Sequence, residues 1–325
     1  TSSLMHLDTS PAASPTAHDS PFHHDVLAGL RHTPKYLPSK YFYDERGSQL
    51  FDAICDLEAY YPTRTEMGIM ETFIDEMAAR IGPRAVLAEF GSGSSLKTRI
   101  LLDHLSSPAG YVPIDISHEH LLKSAMRLAA RYPRLPIHPI SADYTTDFAL
   151  PHIDEAAHVV AYFPGSTIGN FEPDEAALFM TRIAQLVGPG GGLLIGVDLQ
   201  KEHAVLERAY DDPEGVTAAF NLNLLARINR ELEATFDLEA FAHRAFYHAV
   251  EGRIEMHLES LQTQCVTIGD ALIAFEAGET IRTEYSYKYT VPQFAALAAH
   301  AGFDVERVWT DERSWFSVQY LVARS

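Results

Sequence analysis

The sequence predicts an α/β protein: a mostly parallel sheet covered by helices on both faces, interrupted by an inserted domain of mixed helix and strand. Three observations carry this expectation. Short, nearly continuous apolar runs at 86–90, 111–115, 157–163 and 193–199 alternate with helical stretches, as the strands of a doubly covered parallel sheet do. After Asp198 the alternation stops: a helical stretch runs to Leu232 and strand-like sequence follows from Phe246 to Tyr289. It then resumes with a helix at 292–303 and two terminal strands, 304–309 and 316–323, which complete a seven-stranded sheet.

The first strand and its turn organise the rest. In VLAEFGSGSSLKTRILL (86–102), Gly91 and Gly93 allow a sharp turn and close approach of backbone to a ligand. A helix starting near Ser95 would aim its free amides at whatever sits over the turn. Three ligands compete for it. A nucleoside triphosphate is disfavoured because Leu96 stands where a P-loop needs its second glycine. A dinucleotide is disfavoured because Ser94 to Leu96 supply no third glycine. S-adenosylmethionine remains; it has no phosphate, and its ribose hydroxyls need a carboxylate. Asp115 ends the segment YVPID, 24 residues after Gly91, near the spacing at which an acidic residue meets a ribose. A glycine turn alone also fits a plain strand-to-helix connection.

Before that strand, residues 1–24 are rich in Ser, Thr, Pro, Ala and His and read as a mobile tail. From Asp25 to about Met77 the pattern is helical and broken by prolines, with Leu50, Phe51, Ile54 and Leu57 on one core face. Tyr41, Tyr43, Tyr60 and Tyr61 flank that face without fitting it, and packing residues with wet hydroxyls are the bland alternative for each. After the turn come strand 111–115, a helix capped by Ser117, strand IHPISAD (137–143), strand 157–163, helix EPDEAALFMTRIAQLV, a GPGGG turn and strand 193–199. Glu89, Asp115, Asp143 and the loop PGSTIGN (164–170) all fall at carboxyl ends of strands, where open α/β sheets bind ligands. In the insertion, EGR is a hairpin turn between FYHAV and IEMHLESLQ.

Composition narrows the partners. At 325 residues there is chain for two domains, and 46% hydrophobic residues can fill a core. A formal net charge of -19, from 44 acidic against 25 basic residues, argues against nucleic acid or an anionic membrane as partner. Cys55 and Cys265 are the only cysteines, which points to a reducing cytoplasm, and no apolar run is long enough to span a bilayer. His118 and His120 form an HEH triplet with no partner ligands at zinc-like spacing, so no metal is expected.

Six segments, in order, carry a resemblance: KYFYDERGSQLFDAICDLEAYYPTRTE, AEFGSGSSLKTRILL, YFPGSTIGNFEP, AYDDPEGVTAAFN, RIEMHL and TEYSYKY. With them the chain resembles the histidine-specific S-adenosylmethionine-dependent methyltransferases of ergothioneine biosynthesis, over nearly all of its length after about residue 25. The resemblance implies a class I methyltransferase, with a Rossmann-like seven-stranded sheet and an inserted α+β substrate-binding domain. Its implied boundaries are 65–200 and 291–325 for the cofactor domain, and 25–64 and 201–290 for the substrate domain. The implied reaction is trimethylation of the α-amino group of L-histidine to its betaine, hercynine, through mono- and dimethylated intermediates, by a cytoplasmic monomer.

Carried over by motif, Gly91 and Lys97 bind the methionine half of the cofactor, with Glu89 and Gly93 beside them; Asp115 binds the ribose, and Asp143 with Tyr144 the adenine end. Tyr60, Asn170 and Tyr210 hold the amino acid's backbone groups, Glu284 and Ser286 grip the imidazole, and Tyr43, Met256 and Thr217 lie nearby. Tyr144 stands where the family often has phenylalanine, and the segment between Met256 and Glu284 is slightly short. No nucleophilic side chain is implied, because methyl transfer from a sulfonium is an in-line displacement. Alignment of the amine lone pair can supply on the order of 7 to 11 kcal/mol at best. Two other readings are an enzyme methylating a different amino acid, and a non-catalytic S-adenosylmethionine sensor. A carboxylate and a hydroxyl suit a two-nitrogen ring better than an aryl side chain, and no disruption of the cofactor motifs suggests a sensor.

Overall fold

The computed structural model describes residues 20–91, 96–153 and 157–325. Among the described residues three α-helices precede the first strand: α1 (Pro21–Arg31), α2 (Glu45–Cys55) and α3 (Tyr61–Ile81). Pro21 opens α1 and the Ser20 side chain accepts from the His23 amide, a cap of about 1 kcal/mol. β1 (Ala85–Phe90), α4 (Leu96–His104), β2 (Gly110–Asp115), α5 (His118–Arg131), β3 (Ile140–Ser141), β4 (His158–Phe163), α6 (Pro173–Val187) and β5 (Gly192–Asp198) then alternate as expected. The helices α7 (His203–Tyr210) and α8 (Val216–Leu232) follow. After them come β6 (Phe241–His248), β7 (Arg253–Ser260), β8 (Gln264–Ile268), β9 (Ala271–Phe275) and β10 (Thr280–Tyr287). The chain closes with α9 (Val291–His300), β11 (Phe303–Thr310) and β12 (Phe316–Ala323).

The central sheet has seven strands in the order β11-β12-β5-β4-β1-β2-β3. Neighbours from β5 to β3 are parallel, while β12 runs antiparallel to both β5 and β11. All six residues of β1 are buried because both faces are covered. Val86, Ala88 and Phe90 pack with Phe179, Met180 and Ile183 of α6 and Phe294 and Ala298 of α9. Ala85 and Leu87 pack on the other face with Ile69, Met70, Ile74 and Met77 of α3 and Leu101 and Leu102 of α4. Full burial of each such large side chain contributes about 1.5–3 kcal/mol. α6 is bounded sharply: Glu172 and Glu175 form a capping box around Pro173, and Gly188 ends the helix at φ 73°.

One strand is shorter than its sequence suggests. IHPISAD was expected to be extended over 137–143, but β3 keeps only Ile140–Ser141 against Ile114 and Asp115, with a lone bridge from Ile137 to Tyr111. Pro136 and Pro139 have no N–H to give to a ladder, which restricts this segment to a ragged edge.

By compactness the chain divides in two. One unit holds 51–217, 245–256 and 284–325; the other holds the residues up to Leu50, with 218–244 and 257–283. The functional boundaries expected from sequence grouped 51–64, 201–217, 245–256 and 284–290 with the substrate domain, whereas by compactness these segments go with the large sheet. In the smaller unit Phe42 stacks on Phe220 at 4.5 Å between ring centres, and Asp44 accepts from the Gly47 amide, Asn223 and Arg230. Three of its rings, Phe236, Phe241 and Phe275, meet edge to face.

Candidate active site

The order of the central sheet reverses between β1 and β4, and Gly91 after β1 and the loop after β4 flank that switch point. Gly91 has φ 73°, a left-handed conformation that strains any residue with a Cβ, and its amide donates to the Ile114 carbonyl at 2.9 Å. Where its Cβ would stand, the nearest atoms belong to Tyr144, at 3.8 and 3.9 Å. Tyr144 in turn packs edge-on to Phe90 and Phe163. Gly93 lies outside the described residues. Asp115 ends β2 half-buried, one carboxylate oxygen accepting from the Ser117 amide at 2.9 Å. Ser117 does precede α5, but its side chain makes no cap bond.

The other cofactor-side residues are already engaged with protein. Glu89 is 2% exposed and accepts from Thr98 Oγ1 at 2.7 and 2.9 Å and from the Tyr111 hydroxyl. Burial pushes its carboxyl up to about 7, against those hydrogen bonds and the charge of Lys97. Its carboxyl group therefore ties α4 and β2 to β1. Lys97 donates to the buried carboxylate of Glu66, which also accepts from the Gly165 amide at 3.0 Å. Asp143 accepts from the amide and hydroxyl of Thr145, at 2.9 and 2.6 Å, closing a tight turn. Glu66 was not singled out in the sequence, where a helical glutamate reads as solvated charge. The room over Gly91, a carboxylate at the end of β2 and a lysine at the start of α4 fit S-adenosylmethionine.

The second group gathers on β10 and its continuation. Glu284, Ser286 and Lys288 alternate along the chain and share one face. Asn170 donates from Nδ2 to the Tyr285 carbonyl at 3.0 Å and hydrogen-bonds the Glu284 carboxyl. Burial pushes that carboxyl up to about 7, opposed by the charge of Lys288 and the bond from Asn170. Tyr60, at the start of α3, lies edge-on to Tyr210 with ring centres 5.9 Å apart. The Tyr210 hydroxyl is 3.0 Å from Ser286 Oγ. Met256 is buried on β7, and Thr217 is buried at the start of α8, its amide donating to Asp212 at 2.8 Å. Tyr43 belongs to the smaller unit, against Phe42 and Phe220, and is 45% exposed.

Sequence reasoning missed the group that holds these residues. Asp198, at the end of β5, is fully buried between two lysines: Lys201 donates to Oδ1 at 2.8 Å and Lys288 to Oδ2 at 2.7 Å. Tyr61 donates to Asp198 Oδ2 at 2.6 Å and accepts from Lys201 at 2.7 Å. Lys288 also donates to Tyr210 at 2.8 Å and to Ser286 at 2.9 Å. Burial alone would raise the Asp198 carboxyl, but the two ammonium groups hold it below its ordinary value. Burial pushes Lys201 down to about 8 despite Asp198, and the like charge of Lys288 adds to this. For Lys288 burial works against the charge, and Asp198 and Tyr210 outweigh it, holding the ammonium above its usual value. The one signal available was Tyr61, a tyrosine that flanks the core face of residues 50–57 without fitting it.

A glycine at the switch point, an acidic end to β2 and a sheet with an antiparallel seventh strand define an S-adenosylmethionine-dependent methyltransferase of class I. The family described as "Histidine-specific methyltransferase, SAM-dependent" matches residues 22–323, and the chain belongs to it. It is 44% identical over 300 residues to a histidine N-alpha-methyltransferase of Mycobacterium tuberculosis, covering 90% of this chain and 92% of that one. A protein of the same name from Mycolicibacterium smegmatis is 42% identical over 304 residues, 92% and 94% of the two chains. Ergothioneine biosynthesis protein 1 of Neurospora crassa is 29% identical over 297 residues, 85% of this chain and 32% of that longer protein. The protein is thus an S-adenosylmethionine-dependent enzyme. Among the described residues no helix is long and apolar enough to cross a membrane, and no group of three or more His, Cys, Asp or Glu could hold a metal.

Proposed function

We propose that this enzyme transfers three methyl groups in succession to the α-amino nitrogen of L-histidine, giving hercynine for ergothioneine biosynthesis. The observation that supports it best is the pairing of Glu284 and Ser286 on one face of β10, with Asn170 hydrogen-bonded to Glu284 and Tyr210 in contact with Ser286. A carboxylate and a hydroxyl suit the two nitrogens of an imidazole. The names of the mycobacterial and Neurospora relatives support the same substrate and pathway.

The cofactor supplies an electrophilic methyl group on a sulfonium. Asp115 accepts from the ribose hydroxyls, Gly91 and Lys97 hold the methionine end, Asp143 and Tyr144 border the adenine, and Glu89 and Glu66 keep Thr98 and Lys97 in position. Tyr60, Asn170 and Tyr210 hold the amino acid's backbone groups, with Thr217 and Met256 as further contacts. Tyrosine faces tolerate the quaternary ammonium of the product, each contact contributing about 0.5 to 2 kcal/mol. No side chain forms a bond to substrate; the residues act by aligning the amine lone pair with the methyl group. In this reading residues 65–200 and 291–325 hold the cofactor, residues 25–64 and 201–290 supply substrate contacts, and the enzyme works as a cytoplasmic monomer.

Mass spectrometry of L-histidine incubated with the enzyme and cofactor tests the reading. The expected result is three successive methyl additions ending at the betaine, with histamine, which lacks the carboxylate, a very poor substrate. Accumulation of a monomethylated end product, or equal turnover of histamine, would overturn it.

A further inference from the structure

The hydroxyl of Ser286 is not at liberty to accept. A serine oxygen has two lone pairs and one proton to give. Lys288 Nζ donates to Ser286 Oγ at 2.9 Å, and its other two protons go to Tyr210 at 2.8 Å and Asp198 at 2.7 Å, so all three are committed. Tyr210 and Ser286 stand 3.0 Å apart. The phenol is the stronger acid of the two, with an ordinary value near 10, and the ammonium at its oxygen polarises it further, so it donates to the serine. Both lone pairs of Ser286 are then taken, and only its proton is left for a ligand.

We propose that Lys288 is a positioning residue that makes Ser286 a hydrogen-bond donor only, so that the site takes the imidazole as a single neutral tautomer, its N–H on Glu284 and its lone pair on Ser286. This rests on the histidine reading of the site. Imidazolium, with N–H on both nitrogens, meets a proton at Ser286 instead of an acceptor and is refused. The titratable groups around Lys288 are Asp198 on β5, Lys201 after it, Tyr61 on α3, Tyr210 on α7, Tyr247 on β6 and Glu284 on its own strand. Asp198 is held below and the three tyrosines above their ordinary values. Of these groups only Glu284, near 7, titrates between pH 5.5 and 7, the range in which the ring of the free ligand also takes its proton.

The test uses the intact enzyme with S-adenosylhomocysteine and hercynine labelled with ¹⁵N in its ring. The permanently charged ammonium leaves the ring as the one ligand group titrating in this range. NMR should find one pyridine-like and one pyrrole-like nitrogen persisting to pH 5.5, about one unit below the ordinary imidazole value of roughly 6.5. In Lys288→Gln the serine regains a lone pair, and the bound ring should take its second proton at a pH at least one unit higher than in the wild type. Ser286→Ala, which leaves the Lys288–Asp198 pair whole, should raise the ring's titration likewise and serves if Lys288→Gln does not fold. Two pyrrole-like nitrogens in the wild-type complex at pH 5.5, or wild-type titration in both variants, would overturn the proposal. Ring signals unchanged from free ligand would mean that hercynine does not bind, and would overturn the substrate reading and this inference together.

Discussion

Lys288 and Asp198 lie 90 residues apart in the chain and meet at 2.7 Å with both side chains completely buried. The contact is made where the end of β10 runs beside the end of β5: the Tyr289 amide donates to the Asp198 carbonyl at 3.1 Å and the Gln200 amide to the Tyr289 carbonyl at 3.0 Å. Removing the carboxylate leaves two buried ammonium groups facing each other. Asp198→Ala should therefore lose about 3–5 kcal/mol of stability, read from urea denaturation. Lys288→Gln should lose less, since Lys201 still pairs with Asp198.

Glu89 makes stability depend on pH in the opposite sense from a paired carboxylate. Its folded-state value, about 7, lies above the unfolded value of about 4.3. The folded state then holds the extra proton, so stability associated with this group is complete below about 4.3 and is lost as pH rises through about 7. The loss approaches about 4 kcal/mol at the alkaline end. Denaturant titrations of wild type and Glu89→Gln from pH 5 to 8 should differ in slope, with the variant flatter. Parallel pH profiles would mean that Glu89 keeps an ordinary value.

Gly196, in the middle of β5, has no room for a side chain. A Cβ there would stand 2.3 Å from Glu66 Oε1 and 3.2 Å from the Gly165 amide nitrogen. Gly196→Ala should destabilise the protein by about 1–3 kcal/mol by overpacking. It should also weaken cofactor binding, because Glu66 holds Lys97 and must shift. Thermal unfolding and calorimetry read the two effects separately.

Asp115→Ala removes the carboxylate expected to take the ribose hydroxyls. A charge-assisted hydrogen bond contributes about 1.5–3 kcal/mol, so S-adenosylmethionine affinity should fall on the order of tenfold to a hundredfold. Isothermal calorimetry showing wild-type affinity would remove Asp115 from the cofactor site.

Glu284→Ala should lower kcat/KM for histidine strongly while leaving S-adenosylmethionine affinity unchanged. A site that hydrogen-bonds its substrate rejects analogues lacking those groups by on the order of 10⁴ or more. The preference for histidine over phenylalanine should accordingly narrow in the variant. Competition assays with the two amino acids measure this, and unchanged selectivity would mean that the ring is recognised elsewhere.

The sheet was legible because each buried strand is a short apolar run and each covering helix has a clean start, such as Glu172-Pro173 or Thr290 before α9. The strand at 137–143 misled because its apolar residues fit an extended run while Pro139 within it and Pro136 just before it limited pairing to Ile140–Ser141. Within the candidate site, the placing of Glu284 and Ser286 on one face of a strand was legible through the TEYSYKY segment and the period of a strand. Lys288 stands in the same segment but carries no signal of burial, because a lysine reads as surface until its counterion is known. That counterion lies 90 residues away and is brought close only by sheet topology. Glu89 was legible as a strand-end acid, but its direction was not, since the Thr98 and Tyr111 partners that turn it inward become neighbours only on folding.

Two ammonium groups, Lys201 and Lys288, share the single carboxylate of Asp198, so this interior spot of a chain with formal net charge -19 is short of one negative charge near neutral pH. Under the proposed function, electroneutrality there is restored by Glu284 or by the carboxylate of the amino acid. A protonated amine restores nothing and is repelled by the same field that attracts the anion. An amino acid in its anionic form, with carboxylate ionised and amine uncharged, is the species this potential favours, and it is also the species whose nitrogen has a lone pair to give.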